Sequence, residues 1–90
     1  MTTSTFTTKG GNVAKNQSIE FHSDYTLFVS YDTVIVKTTF VDGERVVFLD
    51  EEYWNYSATT RNYRNEFLGE NTKETQKKID AGIYKLTNLN

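Results

Sequence analysis

From Ser18 to Asp50 apolar side chains recur at every second position, and this period restricts the stretch to extended strands. "SIEFHS" sets Ile19 and Phe21 on one face. "YTLFVSY" sets Tyr25, Leu27, Val29 and Tyr31 on one face and Phe28 on the other. "TVIVKTTFV" follows after Asp32 alone. "RVVFLD" follows Asp42-Gly43, a dipeptide that tolerates the positive φ angles of a two-residue hairpin turn. Residues 18–50 therefore read as a small antiparallel β-meander of three to four strands. Two of these strands are apolar on both sides: Val34 and Val36 oppose Ile35, and Val46 and Phe48 oppose Val47 and Leu49. Such strands need cover on both faces or a place in a strongly curved sheet.

The C-terminal third supplies the cover. In "SATTRNYRNEFLG" a Ser start signal, a Gly69 stop and Tyr63 and Phe67 on one face predict a helix over 57–68. "NTKETQKKIDAG" pairs Asn71 with Glu74 in the spacing of a capping box, with Lys77 and Lys78 near the negative end of the dipole, and predicts a helix over 72–81. "IYKLTNLN" reads as a strand or an extended tail. Residues 1–17 are rich in Thr, Gly, Asn and Ser and hold only Phe6 and Val13 as sizeable apolar anchors, so they read as a flexible or extended arm or a weak edge strand. The expected fold class is α+β: the meander packed against two C-terminal helices, in a single domain over 18–90.

Ninety residues suffice for one core, and 1 Trp, 6 Tyr and 6 Phe give it mostly rings. The absence of cysteine removes disulfides, thiolate metal sites and cysteine nucleophiles. No apolar run has signal-peptide or membrane-spanning length, so a cytoplasmic location is expected. A formal charge of −2 does not drive general nucleic-acid binding. The charge is uneven: Asp42, Glu44, Asp50, Glu51 and Glu52 face only Arg45 in their stretch, whereas Arg61, Arg64, Lys73, Lys77, Lys78 and Lys85 turn the C-terminal third positive.

The densest chemistry lies in "EEYWNYSATTRNYRNEF", residues 51–67. Arg61 and Arg64, three apart, can project from one side of a helix beside Tyr56 and Tyr63, a combination that grips single-stranded nucleic acid by stacking and charge. The competing reading makes the rings core and pairs the arginines with Asp50, Glu51, Glu52 or Glu66. The candidate binding residues are thus Tyr56, Arg61, Tyr63, Arg64, Asp50, Glu51 and Glu52, with Trp54 read as core. Catalysis has little to build on. His22 is the one histidine and has no Ser or Asp at a telling spacing, consecutive Asp50, Glu51 and Glu52 cannot converge on a metal, and Gly10-Gly11 lacks the context of a phosphate loop. No cofactor and no metal are expected, and an enzyme is not.

Residues 53–90, "YWNYSATTRNYRNEFLGENTKETQKKIDAGIYKLTNLN", carry an aromatic-x-Tyr-Ser-x-Thr-Thr segment, then Arg-Asn-x-Phe-Leu-Gly, then Glu-Thr-x-x-Lys-Ile, and end in Leu-x-x-Leu-Asn. In this the chain resembles the C-terminal half of small uncharacterised proteins encoded by bacteriophages and other mobile elements. Those proteins also carry a Tyr-Asp/Asn-Thr triplet in the preceding strand pair, here Tyr31, Asp32 and Thr33. The resemblance implies an origin and a fold type, and brings over no catalytic residue. Three functions stay open. One is a stoichiometric, non-catalytic binding protein that inhibits a host defence system of the CRISPR or restriction kind, with a host or phage protein as partner. Another is a nucleic-acid accessory protein using Arg61, Arg64, Lys73, Lys77 and Lys78 with Tyr56 and Tyr63. The third is a self-associating module that forms homo-oligomers.

Overall fold

The computed structural model describes residues 2–7, 11 and 13–90, and it is α+β. One sheet runs in the order β1 (Thr2–Thr7), β2 (Val13–Phe21), β3 (Tyr25–Ser30), β4 (Thr33–Val41), β5 (Glu44–Asp50) and β6 (Tyr84–Thr87). The first five strands pair antiparallel with their neighbours, and β6 joins β5 parallel after a crossover through α1 (Ala58–Leu68) and α2 (Thr72–Asp80).

The expected three or four strands become six. The additions are β6, on the stretch read as a strand or tail, and β1, where the edge-strand reading of the arm, residues 1–17, holds; β1 and an earlier start of β2 place Phe6 and Ala14 in the core at 5% and 3% exposure. Their alternation was hidden because the remaining positions are mostly hydroxyl or amide residues. It is also broken by a shift of register between Thr5 and Thr7, and by Asn16 at φ 63°. The parts of that arm, and of the Gly10-Gly11 pair, that fall on residues 1, 8–10 and 12 lie outside the described residues.

The expected Asp42-Gly43 turn is present, and a second tight turn takes in Tyr31, which the strand pattern places on β3, together with Asp32. Asp42 and Gly43 take φ 52° and 81° between β4 and β5, and Tyr31 and Asp32 take φ 49° and 62° between β3 and β4. Two consecutive left-handed residues make the hairpin turn whose twist matches that of the flanking strands.

One face of the sheet carries the core. Phe28, Val36 and Leu49 are fully buried and stand side by side across β3, β4 and β5, with Val47 and Tyr84 continuing the layer onto β6. Ile35 does not oppose Val36 as strict alternation requires. Phe28 faces Val36 while Val29 faces Val34, so Ile35 is the extra residue of a bulge and is buried together with Val36. The helices cover this one face: the Phe67 ring of α1 stacks on Phe28 at 5.5 Å, Tyr63 meets Phe6 edge-on at 5.7 Å, and Ile79 of α2 closes the layer. The opposite face keeps Tyr25, Leu27, Val34, Val46 and Phe48 half-buried, with the Lys37 ammonium 4.8 Å from the centre of the Tyr25 ring. Neither helix covers it, so the two-sided apolar strands are served by neighbouring side chains on that side.

The helix ends follow their capping residues. Ser57 accepts from the Thr60 N–H at 3.2 Å to start α1, and Gly69 at φ 73° ends it. Asn71 and Glu74 form a reciprocal capping box at the start of α2. Glu70, between the helices, takes Lys78 Nζ at 2.7 Å, the Tyr84 hydroxyl at 2.6 Å and Thr75 Oγ1 at 2.6 Å, which ties α2 to β6.

Candidate functional site

The seven candidate residues do not form one site. Asp50 is 1% exposed and serves the backbone: it accepts from the N–H groups of Glu52 at 3.1 Å, Tyr53 at 2.9 Å and Leu89 at 2.8 Å, and from the Asn90 amide at 3.1 Å. Burial pushes its pKa up, but these four donors more than reverse that and hold it below the ordinary value. Glu51 and Glu52 stand exposed in the turns after β5.

Arg64 is fully buried, which corrects its reading as half of a basic surface pair. It does not take up the alternative of a carboxylate partner either. The guanidinium lies 5.0 Å over the Trp54 ring and donates to the Trp54 carbonyl, to Asn65 Oδ1 at 2.8 Å and to Thr72 Oγ1 at 3.0 Å. Burial, with Arg61 nearby adding to it, lowers its pKa to about 10. It is therefore the post around which the β5–α1 connection, the end of α1 and the start of α2 are assembled. Arg61 is partly exposed, and Tyr63 turns its ring to Phe6 in the core. Among the described residues the ion pairs are Lys78 with Glu70 and, when the imidazole is protonated, His22 with Glu20.

Tyr56 alone of the seven lines a cleft of about 570 Å³. The cleft lies where the β3–β4 turn faces the β5–α1 connection. Its floor is Ile35 and a buried hydroxyl pair, Ser30 Oγ to Thr60 Oγ1 at 2.9 Å, which links β3 to α1. Tyr53 and Tyr56 form one wall, their rings edge-to-face at 5.5 Å and 72°. Tyr31, from the β3–β4 turn, also lines it, and Thr33, Ser57 and Thr59 add hydroxyls. Tyr56 is 71% and Tyr31 56% exposed, so two large rings spend most of their surface on solvent.

Tyr31 also sits in the left-handed region at φ 49°, a conformation that costs an ordinary L-residue ~1–2 kcal/mol. Its N–H is held by the Asn16 carbonyl at 2.8 Å, so the neighbouring strand fixes it there. Sequence reasoning placed Tyr31 on a strand face with Tyr25, Leu27 and Val29 and not among the binding residues, whereas β3 ends at Ser30. The available signal was the two-residue gap between period-two strands, which forces Tyr31 and Asp32 into the turn and the ring to its tip.

His22 donates or accepts at 3.1 Å to Glu20 and stacks on Tyr25 at 4.3 Å, away from the cleft. Among the described residues no three His, Asp or Glu side chains are placed to hold a metal ion, and no helix is long and apolar enough to cross a membrane.

Comparison with known proteins gives a family and no activity. Neither the curated proteins nor the solved structures contain a match to the chain. The model of a protein family described as a family of unknown function, DUF8033, matches residues 1–82. That span takes in all of β1 to β5 and both helices, and the chain belongs to this family.

Proposed function

We propose that this protein is a non-catalytic binding protein that engages a partner protein through the tyrosine-lined cleft. The observation that carries the reading is the convergence of Tyr31, Tyr53 and Tyr56, from two separate connections, around one cleft with two of the rings largely exposed. Exposed tyrosines at the centre of a concavity are the anchors from which protein interfaces draw most of their affinity. The resemblance to proteins of bacteriophages and mobile elements supplies the setting: a stoichiometric inhibitor of a CRISPR or restriction defence, acting in the host cytoplasm. The nucleic-acid alternative loses support because Arg64 faces the interior and, among the described residues, no basic side chain lines the cleft.

Expression of the tagged protein in a bacterial host, followed by identification of what co-purifies with and without nuclease, tests this. A single dominant protein, lost on Tyr56→Ser, is the expected result. Bulk nucleic acid that disappears with nuclease would overturn it in favour of the accessory role.

Self-association is favoured by a different feature. Strand β1, Thr2–Thr7, is a sheet edge that carries no charge and no proline, the two devices that usually prevent edge-to-edge pairing. Light scattering of the parent against Ser4→Lys would show a dimer that the added charge dissolves.

A further inference from the structure

The lining of the cleft specifies more than a protein partner, and we infer that it takes a proline-rich segment in the polyproline II conformation. This rests on the binding reading above and names the partner's chemistry.

Charge comes first. Among the described residues none of those lining the cleft carries a charge. A charged ligand would lose hydration there and gain no counter-charge, so the ligand is neutral where it contacts the cleft.

Hydrogen-bonding capacity comes second. The polar lining consists of side-chain hydroxyls, with no carboxylate, carboxamide or guanidinium. A neutral saccharide is gripped by planar groups that bond two adjacent hydroxyls at once, and the cleft has none of these. The hydroxyls are placed to donate. Ser57 Oγ already accepts from the Thr60 N–H, so its own proton is free. In the Ser30–Thr60 pair one hydroxyl proton is used between the two, and the other remains. The Tyr56 hydroxyl belongs to a ring that is mostly in solvent. A set of donors asks for a ligand with unpaired acceptors. A polyproline II helix makes no internal hydrogen bonds, and its prolines have carbonyls but no N–H.

The position in the sheet excludes two other ways of binding a peptide. The cleft lies over β3, which is paired on both sides, and over the start of β4, whose Val34 N–H and carbonyl on the unpaired side are taken by the Asn90 amide, so no free strand edge is there for a peptide to extend. An amphipathic helix needs a continuous apolar groove, and this floor is interrupted by the Ser30–Thr60 pair. What remains is a lining of three tyrosine rings, the Tyr53–Tyr56 pair of the β5–α1 connection and Tyr31 of the β3–β4 turn, surfaces against which flat pyrrolidine rings pack. A volume of about 570 Å³ suits a few residues of such a helix at its rise of ~3.1 Å per residue.

The test is a titration of the isotope-labelled full chain, followed by amide shifts, with three probes: deca-proline, a Gly-Ser decapeptide and maltohexaose. Deca-proline should give saturable shifts at Tyr31, Tyr56, Ser57 and Thr59, and the other two should give none at the same concentration. Tyr56→Ser and Tyr31→Asn should each weaken deca-proline at least ~10-fold, equivalent to about 1.4 kcal/mol, with thermal stability not reduced. No saturable shift with deca-proline up to ~10 mM, a concentration that reveals even millimolar affinity, overturns the inference. So does an equal response to maltohexaose or to the Gly-Ser peptide. If deca-proline fails while host lysate still yields a partner whose capture needs Tyr56, the proline-rich ligand is wrong and the binding reading stands. If both fail, both fall.

Discussion

The side-chain amide of Asn90 grips the backbone of Val34 from both sides, Oδ1 accepting the Val34 N–H at 2.8 Å and Nδ2 donating to its carbonyl at 2.9 Å. Strand β4 pairs with β5 from Val36 to Val41, and β5 ends at Asp50, so Val34 has no strand partner on that side. The Asn90 amide stands in for the missing residue of the ladder. Asn90→Ala should therefore destabilise by ~1–2 kcal/mol, two ordinary hydrogen bonds' worth, in chemical denaturation at unchanged m-value. A midpoint equal to the parent's would show that water replaces the amide without loss.

Acid and alkali should each attack a different cluster. Asp50 and Glu70 are both pushed up by burial and pulled further down by their donors, to a net pKa below the ordinary value. A depressed carboxyl contributes stability above its unfolded pKa and loses it as the pH falls through the folded one, so the melting temperature should drop below about pH 4. Asp50→Asn should flatten that limb. Tyr84 runs the other way: burial, then Glu70, raises its pKa above 10.0, and Lys78 only partly offsets them. Its contribution is complete below the unfolded value and fades as the pH climbs through the folded one, so stability should also decline above about pH 10. Tyr84→Phe should remove that alkaline limb.

The two arginines of α1 should separate cleanly. Arg64→Ala strips donors from three acceptors and opens a cavity under Trp54, and should cost roughly 3–5 kcal/mol, as for other buried charged groups whose network is broken. Arg61→Ala should stay within about ±0.5 kcal/mol, because Arg61 is partly exposed and its charge disfavours the buried guanidinium beside it. Equal costs would mean that Arg61 has a structural partner of its own.

Tyr31→Asn should raise stability by roughly 1 kcal/mol, because Asn tolerates the left-handed conformation that Tyr31 is held in. A gain in stability with a loss of binding is the pattern of a residue kept for contact and not for folding. A melting temperature below the parent's would show that the Tyr31 ring supports the turn.

Period and capping made much of this architecture legible. The Asp42-Gly43 turn, the Ser57 cap, the Gly69 stop and the Asn71–Glu74 box all appear where residue type and spacing put them. Legibility failed where polarity and burial part company. β1 looks like a tail because five of its six residues are Thr or Ser, yet Phe6 anchors it beneath Tyr63. Arg64 looks like surface because arginine usually is, and only the three-dimensional meeting of Trp54, Asn65 and Thr72 gives it acceptors inside. The bulge at Ile35 cannot be seen in a strand pattern that is apolar at every position from 34 to 36.

The parallel pairing of β6 with β5 sets an order of assembly. Strands β1 to β5 meet sequence neighbours through short connections, and hairpins of this kind zip within ~1–10 μs. β6 instead has to wait for α1 and α2 to lay down the crossover, and the bond from Leu89 to Asp50 spans 39 residues of sequence. Contacts that close so long a loop belong on the late side of the folding barrier, where they slow unfolding and leave the folding rate alone. Asp50 and Asn90 then act as a kinetic latch: they govern how long the finished molecule lasts before it opens, and the meander governs how fast it forms.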